Sequence, residues 1–503
     1  MRTWPRIGPV LLAALLTLVA VHVVANVLSY LRSIDYPFGL DYGEGIVWQQ
    51  ALLIPGPRMY GTSTDLPFIV FHYPPVFYLF VRLAAAWMPD MLSAGRLVSG
   101  VSTWFIAPLV SGLILTAAPT PAGRSRLSHW MIAVTIGLLT LCLDPVAVWG
   151  ALMRVDMIAA SLSLAGVLIA ARADGRLAGT TVALLLCVGS VFSKQTEIPA
   201  GLAILTVTLL RRPRVALIAA AVAFAVAVAA LGWLEEITRG GFLVNIVSYN
   251  INRFSVDAAA RTIGDERKLA PFVVLMAIAA LSVLVGLAAD APREPSRGFV
   301  TRLILGVRRA DRAHAARAML ALYFGLSTLM LVTIMKSGGS VNYLIEWLCV
   351  GSVLIGVLLC DLAPSSRTFA AVVATLILGV LTAPFGAHVL RDPQTLMAVQ
   401  ETLVRRIAAA DKPVASEDMT LLMRAGKPIM FEPSIVTELA SVGRWDEAPL
   451  VAMIRDRGFA FMITTSNDPD DHSRRTPAVD AAMRAAYPRV ERVLPELWLH
   501  SPR

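Results

Sequence analysis

The chain of 503 residues carries 44 Lys and Arg against 35 Asp and Glu, and is 56% hydrophobic but only 16% charged, with a mean hydropathy of +0.67. Soluble proteins run near about 25% charged, so an ordinary water-soluble fold is excluded and much of this surface must face lipid. The formal charge of +9 does not indicate nucleic acid, because no basic stripe is interleaved with aromatics; in a polytopic protein such an excess is loop arginine set by topology.

Arg2 and Arg6 precede an apolar run at 7–28. Secretory h-regions are about 7–15 residues long, and no A-x-A site follows, so an uncleaved first helix is expected. A bilayer core takes about 20 apolar residues as helix. By that measure spans are predicted near 8–29, 94–117, 130–150, 157–171, 177–193, 197–210, 215–233, 271–289, 317–335, 341–361 and 368–389. Cys142, Cys187, Cys349 and Cys360 all fall inside these runs without CxxC or metal spacing, and read as small core hydrophobes.

HYPPVFYLF, residues 72–80, is the ambiguous segment. Without it, Arg124 and Arg126, Arg172 and Arg176, RRPR (211–214), the stretch Arg293–Arg317 and Arg367 share the side of the N-terminus, which the positive-inside rule makes cytoplasmic. Counting the segment as a twelfth span would invert every later loop. It is therefore expected as a juxtamembrane or re-entrant helix on the outer face, started by Pro74 and Pro75, since proline suits a first helical turn. After 390 the apolar fraction drops, and PVASED (413–418), TLLMRAG, KPIMFEP, IVTELASVG, PLVAMIRDRG and FAFMITT (459–465) alternate short strands with helices. A right-handed crossover is expected if the strands are parallel. The predicted fold class is an α-helical polytopic membrane protein of about 11–12 transmembrane helices with a small C-terminal α/β extramembrane domain. Its parts are a transmembrane module, 1–390, with a first outer loop at 31–93, and an extracytoplasmic domain, 391–503.

The chemistry-bearing motifs all fall on outer loops. In DYGEG (41–45), Asp41 and Glu44 are three apart and on a helix would project to one face. Paired carboxylates can form a general base or hold a divalent cation; the bland reading is a solvated acidic loop. RVD (154–156) sets ionisable groups at a span end, where they tend to be functional or paired; the alternative is a local Arg154–Asp156 ion pair. In SKQTE (193–197), Lys194 offers a phosphate a compact charge, or is a plain loop lysine. SGGSVNYLIE (337–346) is a glycine-rich turn leading Asn342, Tyr343 and Glu346 into a span, but it lacks a phosphate-loop pattern. His72 has no His or Cys at ligand spacing and reads as a hydrogen-bonding loop residue.

The order of these features resembles that of the GT-C membrane glycosyltransferases, in particular the branch with protein O-mannosyltransferases and bacterial lipid A aminoarabinose transferases. The resemblance runs over residues 1–390: the acidic DYGEG, then HYPPVFY, Arg96 in AGRLVSG, RVD, SKQT and NYLIE. It implies an inverting glycosyltransferase that moves a sugar from a polyprenyl-phosphate donor to a hydroxyl of a glycan, lipid or protein, in a bacterial inner membrane, with membrane lipid and no nucleic acid as surroundings. Asp41 or Glu44 would be the base, Lys194 and Arg154 would hold the donor phosphate, and Asp156 would orient the acidic pair or a metal. His72, Tyr73, Arg96, Gln195, Asn342, Tyr343 and Glu346 complete the implied substrate site. No cofactor is certain; a divalent cation, if one is used, would fall to Asp41, Glu44 and Asp156. The sequence departs from the family where Gly43 precedes Glu44, since an adjacent Asp-Glu is common there, and where Tyr73 replaces a charged residue of some relatives. A transporter or lipid flippase is the alternative, but it would spread its charges along a path through the membrane and show paired broken helices.

Overall fold

A computed structural model describes residues 4–121, 125–250, 253–289, 298–336, 338–383 and 393–503. The boundary expected at 390–391 lies outside these residues, as do Arg2, Arg124, Arg293 and Ser337. Each predicted apolar run is mainly helical over its described residues. The first ten helices are α1 (Trp4–Ile34), α2 (Tyr42–Leu53), α3 (Val76–Ala84), α4 (Met91–Ala117), α5 (Arg126–Thr140), α6 (Asp144–Gly150), α7 (Asp156–Ala173), α8 (Leu177–Val191), α9 (Pro199–Arg211) and α10 (Pro213–Ile237). Ala270–Ala289, Arg312–Met330, Ile345–Asp361 and Arg367–Thr382 follow. Among the described residues, 7 helices are long and apolar enough to cross a membrane; α5 and α6 meet that measure only as a pair, bent by 64° at their break, as a broken span or a re-entrant loop is. The remaining predicted runs are the shorter apolar helices α8, α9 and Arg367–Thr382. The protein is thus an integral membrane protein.

Two segments show how the sequence sets this architecture. The α5–α6 bend falls where Pro145 enters the first turn of α6, since proline has no N–H to continue the ladder. HYPPVFYLF supplies no further span. It forms α3, whose 9 residues rise only about 14 Å, short of the roughly 30 Å core. Pro75 is its N-cap; Phe77, Tyr78 and Val81 are buried, while Leu79, Phe80 and Leu83 point outward.

Burial orders the bundle. In the span Val341–Asp361, 89% of the apolar window is buried, against 17% for α10, so the former is the central helix and the latter peripheral. It packs on α4, α5 and the helices Ala270–Ala289 and Arg312–Met330. On α10, Leu217, Phe224 and Trp233 are exposed, the pattern of a face turned to lipid. The four cysteines are buried thiols, not joined in disulfides.

The C-terminal region holds a four-stranded sheet of order β1-β2-β4-β3, with β1 (Ala415–Ser416), β2 (Met462–Thr464), β3 (Arg489–Leu494) and β4 (Leu497–Ser501). β1 and β2, which fall in PVASED and FAFMITT, are parallel and joined through helices Met419–Arg424, Pro433–Ser441 and Ala448–Arg455. β4 pairs antiparallel with both β2 and β3. KPIMFEP is not a strand of this sheet; Phe431 instead makes an isolated parallel bridge to Phe68 of the loop between α2 and α3. Phe68 also stacks on Trp445 with ring centroids 5.5 Å apart, and Tyr36 and Phe38 join Val414, Leu421, Phe461 and Leu499 in one core. The C-terminal region is therefore seated on the loop that carries DYGEG.

Candidate functional site

DYGEG divides its two acids rather than presenting them together. Asp41 is extended (φ −148°, ψ 147°) and caps α2, accepting from the Gly43 N–H. Glu44 lies inside the first turn and is buried, so the expectation of one shared face is corrected: Asp41, as the extended N-cap, stands outside the helix and does not share its periodicity. Glu44 is fully buried and receives Arg96 through both oxygens, Nε to Oε1 at 2.8 Å and Nη2 to Oε2 at 2.7 Å. It also accepts from the N–H groups of Leu40 (2.7 Å) and Met153 (2.8 Å). Burial alone would lift the Glu44 carboxyl, but the Arg96 charge and these hydrogen bonds hold it below the ordinary range. Arg96 spends its other donors on the carbonyls of Ser33, Tyr36 and Phe38. A guanidinium has five N–H groups, and all five are satisfied. The geometry thus makes Glu44 and Arg96 the pin that ties the loop between α1 and α4 to α4, with no donor or acceptor left facing a ligand.

Asp41 is differently placed. Its side chain is 30% exposed, and Oδ2 lies 3.5 Å from Arg154 Nη1. Arg154 lies over Gly43: a Cβ added there would meet Nη1 at 1.4 Å. This explains the departure from an adjacent Asp-Glu, because only glycine leaves room for the guanidinium. Burial works against the Arg154 charge, yet Asp41, Tyr73 and Asp156 hold it firmly protonated. Its Nε is buried without a hydrogen-bond partner.

Behind this pair lies a second one. Asp156 opens α7 and Lys194 follows α8; Lys194 Nζ is 2.7 Å from Asp156 Oδ1 and 3.8 Å from Glu197 Oε1. Asn342 donates to the same Asp156 oxygen at 2.8 Å, and Nζ lies 4.8 Å from the Tyr343 ring centroid. Burial opposes the ammonium, but Asp156 and Glu197 keep it charged. The local Arg154–Asp156 bridge is replaced by two longer-range pairs, because the backbone between them turns into α7. Tyr73 adjoins the cluster; burial pushes its phenol up to about 12 despite the Arg154 charge. The His72 carbonyl accepts from Gln195 (3.1 Å) and Asn250 (3.2 Å), and its ring lies 3.6 Å from Glu432. Glu346 is buried within the central span, one oxygen lacking a hydrogen-bond partner.

The structure thus gathers Asp41, Arg154, Tyr73, Asp156, Lys194, Asn342 and Tyr343 at one end of the bundle, with His72 and Gln195 beside them. Among the described residues no group of three or more His, Cys, Asp or Glu is placed to hold a metal ion. Asp41, Glu44 and Asp156 do not fit a cation site together: Arg154, Arg96 and Lys194 each take one of them. Sequence reading missed Tyr42, which donates to Glu432 at 2.5 Å, and Arg474, whose guanidinium lies 3.9 Å from the Tyr42 ring centroid. Tyr42 stood inside DYGEG; Glu432 and Arg474 lie 390 and 432 residues further along the chain with no local signal. Glu197 was visible as the i+3 partner of Lys194.

No family model matches this sequence, and no curated protein matches it. Among solved structures, the chain is similar to ArnT from Cupriavidus metallidurans bound to undecaprenyl phosphate, at 14% identity and a TM-score of 0.57, covering 96% of this chain and 97% of that one. The apo state of the same protein aligns over the same shares, at 14% identity and a TM-score of 0.51. At this identity the likeness is one of fold. The chain has an ArnT-like fold over nearly its whole length, beyond the residues 1–390 over which the order of its motifs carried the resemblance.

Proposed function

We propose that the protein transfers a sugar from a polyprenyl-phosphate donor to an acceptor hydroxyl, inverting the anomeric carbon, at the outer face of the membrane. In this reading the N-terminus is cytoplasmic, the helical part to about 390 is the catalytic module, and residues 391–503 lie outside the cytoplasm. The observation that carries it is the Asp41–Arg154 pair: a partly open carboxylate 3.5 Å from a guanidinium whose Nε is buried and unpartnered. The donor phosphate supplies the acceptor that Nε lacks. Drawing Arg154 toward phosphate loosens its hold on Asp41 and leaves Oδ2 open to the acceptor hydroxyl.

Asp41 then takes the proton of the acceptor hydroxyl as its oxygen attacks the anomeric carbon. The bond from that carbon to the phosphate oxygen breaks on the opposite side. The polyprenyl phosphate leaves with the electron pair, so charge stabilisation by Arg154 matters more than protonation. Lys194 is pinned by Asp156 and is the second cation of the phosphate site. Likeness to a protein crystallised with undecaprenyl phosphate supports the donor class. So does an apolar groove of about 490 Å3 lined by Phe80, Trp87, Val101, Phe105, Ile158 and Leu162. It starts two residues along α7 from Asp156 and suits a prenyl chain left in lipid.

The test is donor turnover by purified protein in nanodiscs, with radiolabelled polyprenyl-phosphate sugars and an envelope acceptor fraction. Asp41→Asn is expected to lower transfer by about 10²–10⁴-fold, the usual worth of a general base. Transfer indifferent to Asp41→Asn would sink the proposal.

A further inference from the structure

A cavity of about 630 Å3 opens beside Asp41, between the start of α2 and the C-terminal region. Its size falls within the roughly 300–1,000 Å3 of small-molecule sites. Its far wall is set by the sheet: β1 and β2 run parallel and end at Ser416 and Thr464, and Glu417, Asp418 and Thr465, the residues just beyond, line the cavity. Open sheets of parallel strands bind ligands beyond those carboxyl ends.

The lining has a definite charge. Asp41, Glu417, Asp418 and Glu496 face Arg474 as the lone cation among the described lining residues. Arg474 is engaged: Nη1 donates to Thr465 Oγ1 at 2.6 Å, and its guanidinium lies over Tyr42. Glu417 is answered from behind by Arg475. A phosphorylated group entering here would meet carboxylates and no free cation. Hydroxyl groups, by contrast, can donate to carboxylate oxygens, and Leu396, Leu494 and Leu497 offer an apolar surface to the C–H face of a sugar ring.

We propose that this cavity is the acceptor subsite, contributed largely by the C-terminal region, and that it takes an uncharged, hydroxyl-rich glycan end rather than a phosphorylated acceptor. The assignment rests on Asp41 being the base. It gives the C-terminal region a role in acceptor choice and leaves the donor to Arg154 and Lys194.

Saturation-transfer NMR on the full-length protein in nanodiscs tests it, with maltose and maltose 6′-phosphate as probes. Maltose is expected to bind at least about tenfold more tightly than its phosphate, a difference of about 1.4 kcal/mol. Leu396→Trp, which fills the cavity without breaking an ion pair, is expected to weaken maltose by about the same factor. Glu496→Lys, at the exposed rim, is expected to narrow the gap between the probes even if the tryptophan variant folds poorly. Equal or stronger binding of the phosphate overturns the proposal, as does failure of both probes or indifference to both substitutions. These outcomes are read without turnover. Loss of the base assignment, shown by an active Asp41→Asn enzyme, is therefore distinguishable from loss of the subsite.

Discussion

Replacing Glu44 by Gln separates a structural acid from a catalytic one. The substitution leaves the Arg96 guanidinium fully buried with no counter-ion. It also turns an amide NH2 toward one of the backbone donors that Glu44 now accepts, Leu40 or Met153. Breaking a buried pair on one side costs about 3–5 kcal/mol, a large part of a typical total of about 5–15 kcal/mol. Asp41→Asn costs far less. Asn caps a helix as well as Asp, and a partly exposed pair is worth only about 0–1 kcal/mol. Thermal unfolding in detergent, followed by circular dichroism, should therefore show Glu44→Gln melting several degrees below wild type and Asp41→Asn close to it, with transfer activity lost most completely in the latter. pH gives a second readout. The folded carboxyl of Glu44 is depressed despite its burial, because Arg96 and the backbone donors outweigh desolvation. Its stabilisation is thus fully present above the unfolded value of about 4.3 and is lost as pH falls through the lower folded value. Wild type should show this acid limb and Glu44→Gln should lack it. A Glu44→Gln protein that melts with wild type yet has no activity would refute the reasoning.

Gly43→Ala places a methyl where Arg154 Nη1 now lies; transfer should fall by about 10²-fold, as a displacement of about 1 Å can cause, with little change in melting temperature. Asp156→Asn leaves the Lys194 ammonium, 4% exposed, short of its main partner and should cost about 3–5 kcal/mol in the same unfolding assay. Sidedness is testable by cysteine labelling, because all four native cysteines are buried and give a quiet background. A membrane-impermeant maleimide added to intact spheroplasts should label Asp470→Cys, in the C-terminal region, but not Arg126→Cys, at the start of α5; the reverse pattern would invert the topology.

The sequence by itself determined the spans and the class of fold. Long apolar runs without strand alternation favour helices in lipid, so the predicted runs reappear as helices, although only 7 of those described are by themselves long enough to span, and HYPPVFYLF is too brief and too proline-headed to add another. It also pointed to residues that the fold brings together: Asp41, Arg154, Asp156, Lys194, Asn342 and Tyr343 meet at one end of the bundle. What it could not assign was their pairing. Asp41 and Glu44 are chemically alike and three residues apart, and only the cap at Asp41 and the arrival of Arg96 from α4 turn one outward and bury the other. Arg154 and Asp156 stand two apart, yet each pairs with a residue far along the chain. The C-terminal contribution was out of reach for the same reason: Glu432 and Arg474 touch Tyr42 across almost the whole chain length. Ion pairs and cavities depend on distances in space, and a linear pattern carries those only where the chain's own periodicity fixes them.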